Sequence, residues 1–194
     1  MSTHQLFRYA GWSAYLHAVA NIAGLVSLML FFSAGQPFGT INDCASVCFA
    51  LLLIPLALTL HLLHRSLFPP LSLVVATIGI LAMITAALLQ ALLVAGVVHF
   101  EQTLGVVLAA NGIIGVWVMS NGMLARAGST LPGGLAWVSI VAGIGLVLVI
   151  VGFWLGGQQH PLSTAGGLVA SIGLLIWAIW FGRLLLSGRV TPPR

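Results

Sequence analysis

The chain has 194 residues, of which 60% are hydrophobic and only 4% charged, with a mean hydropathy of +1.17 and a formal net charge of +4. A water-soluble domain of this composition would have almost no polar cover, so the chain reads as an integral membrane protein. All six basic residues are arginine: the basic isoelectric point reflects scarce acids and gives no sign of a nucleic-acid surface, and the lack of lysine excludes Schiff-base and P-loop chemistry.

The opening MSTHQLFRYAGW is polar and aromatic, and no small-residue cleavage site follows its apolar run, so no cleavable signal peptide is expected. A first helix is predicted over about 9–32, with His17 and Asn21 four apart on one face. Ser33, Gly35, Pro37 and Gly39 make the turn that follows. The second helix, about 43–65, starts with Asn42 or Asp43 as N-cap and ends at His64 and Arg65, before Pro69 and Pro70. Within it Pro55 removes an intrahelical hydrogen bond and marks a candidate hinge. Cys44 and Cys48 lie one turn apart, poor geometry for a disulfide in an intact helix, and read as buried, packed thiols.

The third helix, about 71–98, has Gln90 as its one strongly polar side chain, and a short turn leads into a fourth over about 103–124. That fourth helix carries Asn111, Trp117 and Asn121 with the small-residue series Ala109, Gly112, Gly115. The fifth, about 134–155, is apolar except for Ser139 and ends in a GxxxG pair, Gly152 and Gly156. The sixth, about 165–186, carries Trp177 and Trp180, which with Trp154 read as interfacial residues.

The fold class is therefore all-α, a single transmembrane domain of six helices forming a polytopic bundle. Six spans put Arg8, Arg65, Arg126, Arg183, Arg189 and Arg194 on one side and both acids, Asp43 and Glu101, on the other. By the positive-inside rule both termini are cytoplasmic, and the expected location is the bacterial inner membrane.

Counting at 1.5 Å per residue from each span's midpoint places Asn21 near the midplane and His17, His61 and Asn121 roughly 7 to 10 Å toward the arginine side. Gln90 and Asn111 fall in the other half. His17, Asn21, His61, Gln90, Asn111 and Asn121 are thus the candidate ligand-binding set, in a core formed by helices 1 to 4, with the fifth and sixth as wall or partner surface. The plainer reading of these groups is interhelical hydrogen bonding. His17 and His61 at matched depth also suggest bis-histidine ligation of haem b, although no cofactor is predicted outright. At the opposite face Asp43, His99, Glu101 and His160 come from loops or helix ends at one level and would suit a divalent metal. No tight ligand motif links them, and helix capping explains the acids.

The run NDCASVCFALLLIPLALTLHLLHR, followed by proline and a second long apolar helix, with a Gly- and Trp-rich final pair, resembles small six-span bacterial inner-membrane proteins of unknown function. The resemblance covers the layout of the whole chain and implies no activity. No nucleophile, base and orienter stand together, so an enzyme is not expected. The residues favour a non-enzymatic protein, an accessory subunit or a binder of a small hydrophobic or amphipathic ligand. The bilayer is its medium, and helices 5 and 6 are its candidate self-association surface. A small transporter or channel is the alternative, and a haem or metal redox protein a further one.

Overall fold

The computed structural model describes residues 2–157 and 159–190, so Arg194 and the Pro192–Pro193 pair lie outside the described residues. All of its regular structure is helical: α1 (Thr3–Ala34), α2 (Phe38–His64), α3 (Pro69–Val94), α4 (Phe100–Gly128), α5 (Gly133–Gly156) and α6 (Pro161–Leu186). Each is long and apolar enough to cross a membrane.

Three features set the helix ends. Ser2 accepts from the Gln5 amide while the Gln5 side chain accepts from the Ser2 amide, a capping box that starts α1 several residues earlier than the hydropathy suggests. Gly35, at φ +73°, ends α1 in a backbone state that costs other residues steric strain. Proline occupies the first helical position of α3 and α6, where its missing N–H loses no helical bond. The predicted cap on α2 is wrong: the helix begins at Phe38, directly after Pro37, so Asn42 and Asp43 lie beyond its first turn. α3 stops at Val94, and α4 begins at Phe100 and runs to Gly128. α2 continues past Pro55 as one helix.

In space the helices form a closed ring. Each packs against its neighbours in sequence, α1 closes against α6, and a small α2–α4 contact is the one bridge across. The predicted segregation of α5 and α6 as an outer wall is therefore corrected: both are full members of the ring. Small residues bring them close. A β-carbon placed on Gly145 would lie 2.7 Å from the Ala170 amide nitrogen, and one on Gly166 would lie 2.7 Å from the Gly145 carbonyl oxygen, so α5 and α6 touch backbone to backbone. On α4, Gly115 meets the α5 backbone at the Gly143 carbonyl in the same way, while Gly112 makes room for the Ile150 side chain. Gly152, expected to serve an intermolecular contact, is instead buried against Ser163 within the chain.

Polarity does not sort the faces of these helices, and size sorts them only in part. Buried positions are rich in Ala and Gly, whereas Leu, Ile and Val crowd the outside. The half of the core nearer the arginines is filled by Leu53, Leu56, Met83, Ile114 and Phe181 together with Trp117 and Trp177, whose rings meet edge to face with centroids 6.3 Å apart. Trp177, read from sequence as interfacial, is only 1% exposed; Trp154 is 76% exposed. The cysteines are also corrected: Cys44 and Cys48 are both free and exposed on the outside of α2.

Candidate functional site

The other half of the ring is not filled. It holds a cavity of about 360 Å³ to which all six helices contribute. Its polar lining comes from Asn21 of α1, Asn42 and Ser46 of α2, Gln90 of α3, Asn111 of α4 and Ser171 of α6. Leu25, Phe49, Leu108, Leu146, Val149 and Leu174 supply much of the apolar remainder. No arginine, aspartate or glutamate lines it.

At 1.5 Å per residue, Asn42 and Gln90 stand roughly 6 Å inside the ends of α2 and α3, whereas Asn111 and Ser171 stand roughly 15 Å inside the starts of α4 and α6. The polar groups thus form a column from near the arginine-free end to mid-depth. Two already have protein partners. Asn21 donates from Nδ2 to the Ser171 carbonyl at 2.9 Å, joining α1 to α6, and the Ser46 hydroxyl donates to the Asn42 carbonyl at 2.9 Å. Gln90 Oε1 is buried and has no hydrogen-bond partner. An orphaned acceptor of this kind carries the full cost of its lost water unless something else supplies a donor.

Of the six ligand-binding candidates, the structure brings Asn21, Gln90 and Asn111 together in the cavity and sends the other three elsewhere. His17 is fully buried between α1 and α2, its Nδ1 3.0 Å from the Phe49 carbonyl and its ring stacked near that phenyl at 4.2 Å. His61 pairs through Nδ1 with the Ser72 hydroxyl of α3 at 3.2 Å. Asn121 donates to the Trp117 carbonyl of its own helix at 2.8 Å. His64, read as an anchor beside Arg65, is buried, with Nε2 3.0 Å from the Thr130 hydroxyl.

These positions rule out the matched-depth histidine pair. His17 stands level with Phe49, and His61 lies twelve residues further along α2, roughly 18 Å away along the axis. Two imidazoles on one haem iron must approach it from opposite sides at bonding distance, which these two do not. Asp43, His99, Glu101 and His160, weighed from the sequence as a metal set but read as caps, do not form a metal-ligand group either. Among the described residues no three His, Cys, Asp or Glu side chains stand together. His99 and His160 are the N-cap residues of α4 and α6, His160 accepting from the Leu162 amide, while Glu101 sits in the first turn of α4.

Sequence reasoning missed Asn42, Ser46 and Ser171. Asn42 was read as a cap, and placing the start of α2 at Phe38 moves it inside the helix and onto the cavity. Ser46 lies one turn further on, a spacing that would have identified both. Ser171 stood in a helix read as lipid-facing wall, and nothing local in its sequence marks it.

The turn of α2 just before Pro55 is held from α1. Ser13 donates to the Leu52 carbonyl at 2.7 Å, and His17 reaches the Phe49 carbonyl one turn further along α1. The candidate hinge therefore sits next to a segment bound to its neighbour by two side chains.

No protein-family model, curated protein or solved structure matches the chain.

Proposed function

We propose that the chain is a non-enzymatic multi-pass membrane protein whose ring of helices holds a small amphipathic ligand in the cavity of its arginine-free half. The arginine-rich end faces the cytoplasm in this reading. The observation that carries the reading is a cavity of about 360 Å³ lined by four amides, Asn21, Asn42, Gln90 and Asn111, from four different helices. Pure helix-to-helix bonding would place such groups in pairs and leave no space between them.

The test is native mass spectrometry of protein extracted in a mild detergent. Wild type is expected to carry an added mass that a Gln90→Leu/Asn111→Leu variant of equal thermal midpoint does not. Asn21 stays in place because it secures α6. A wild-type protein with no added mass overturns the reading.

Transport is the second reading, favoured by the one-sidedness of the cavity. The tryptophan-filled layer would have to part for a solute to cross, with α2 moving about Pro55. Concentration-dependent release of the bound species from proteoliposomes, slowed in the same variant, would select transport over storage or sensing.

A further inference from the structure

We propose, building on the ligand-binding reading, that the cavity is entered sideways from the bilayer, through a gap between α1 and α6 in the arginine-free half, and that its occupant is an amphiphile drawn from that leaflet. Nearer the arginines the two helices are pinned together. A β-carbon placed on Gly182 would lie 3.0 Å from the Gly11 carbonyl oxygen, and the last link toward the other end is the Asn21 bond to the Ser171 carbonyl. The helical repeat carries these facing surfaces on from Asn21 to Leu28 of α1, and from Ser171 to Leu168 and Thr164 of α6. All three are exposed.

Beyond that bond α1 is bare on every side. Leu28, Met29, Leu30, Phe31 and Phe32 follow one another through more than a full turn, and their exposures run from 37% to 70%. In the 18-residue apolar stretch of each helix, 17% of positions are buried in α1 against 33% to 44% in the other five. Between Pro161 and Val169, α6 is buried only at Ser163 and Gly166, which pack on α5. Neighbouring seams stay packed instead. The α4 face that meets α3 at Trp117 remains buried at Ala110 and Thr103, and a β-carbon on Gly24 of α1 would lie 3.6 Å from that of Ala45 on α2.

The gap leads to the cavity because Leu28 belongs to both: it lines the chamber and, among the described lining residues, is the exposed one. An opening at this depth, flanked by apolar side chains, meets hydrocarbon before water. The four lining amides carry donors and acceptors alike, so the polar end of the occupant lodges among them while its tail lies between α1 and α6.

In a Cys44→Ser/Cys48→Ser background, Leu108→Cys sets a thiol on the α4 wall of the cavity. Protein in phosphatidylcholine nanodiscs is treated either with N-dodecylmaleimide, which dissolves in the bilayer, or with the cationic 2-(trimethylammonium)ethyl methanethiosulfonate, which stays in water. Each rate is normalised to that of the unfolded protein. The bilayer reagent is expected to react at least about tenfold faster, because the cation loses its hydration on entry. Filling the gap with Leu28→Trp/Thr164→Trp should slow it by about tenfold. An aqueous reagent that reacts as fast, a maleimide rate unchanged by the filling, or a thiol that meets neither reagent overturns lateral entry. Where Leu108→Cys does not fold, Val149→Cys offers the α5 wall. The ligand reading is judged apart, by the added mass of the native protein. Added mass without maleimide reaction keeps the site and loses the route; reaction without added mass keeps the opening and loses the resident ligand.

Discussion

Gln90 and His17 each keep a buried polar atom without a partner, but for opposite reasons. Gln90 lines the cavity but its Oε1 is turned into the surrounding protein; His17 Nε2 is the far side of a ring whose Nδ1 reaches the Phe49 carbonyl. In a helix that carbonyl already has its own amide donor, so the imidazole mainly fills volume between α1 and α2. His17→Leu is accordingly expected to cost less than about 1 kcal/mol, because it removes the hydrogen bond and the orphaned nitrogen together. His17→Ala should cost about 2–4 kcal/mol by leaving a void. Thermal midpoints followed by tryptophan fluorescence distinguish the two, and a Leu variant as damaged as the Ala variant would show that the imidazole does more than fill space. Residue identity alone marked Gln90, Asn21 and Asn111, because amides are rare in apolar spans. It did not separate them from His61 and Asn121, whose partners, Ser72 on the next helix and the Trp117 carbonyl, appear only once the chain is folded.

At the level of the helices, stability rests on backbone proximity. In a bilayer, apolar side chains gain little from leaving lipid for one another, so close packing of small residues and interhelical bonds carry the association. Gly145→Leu should therefore be severe, about 3 kcal/mol or more, because its side chain meets the α6 backbone at Ala170. Gly105, on the same ring but with open space around its α-carbon, should tolerate Ala and gain roughly 0.5–1 kcal/mol of helix propensity. Equal losses at the two positions in a detergent unfolding series would contradict packing as the cause. The number of helices and their approximate extents were legible because six apolar runs are separated by Gly and Pro. Their faces were not, since apolar residues, large and small, point both inward and outward. The GxxxG pair shows the difficulty: a small-residue motif reads the same whether its partner is another molecule or, as at Gly152 and Ser163, the next helix of the same chain.

For the whole molecule, the arrangement of charge predicts orientation. Arg8, Arg65, Arg126, Arg183 and Arg189 are all exposed and share one end of the bundle, where Arg126 stacks over Trp137 at 4.3 Å, while Asp43 and Glu101 lie toward the other. In a Cys44→Ser/Cys48→Ser background, a cysteine at Gln159 should react with a membrane-impermeant maleimide in intact cells, and one at Ser187 only after the membrane is opened. The reverse pattern would invert the topology. Charge sorting is readable from sequence because it depends only on how many spans intervene. The ring is not readable, since it depends on α1 meeting α6.

That closure has a consequence for biogenesis. α1 is synthesised before α6, yet the partners of its Gly11 and Asn21 face are Gly182 and Ser171 of α6, which follow about 150 residues or more later. The ring, and with it the cavity that all six helices line, is complete only once α6 has packed against α1.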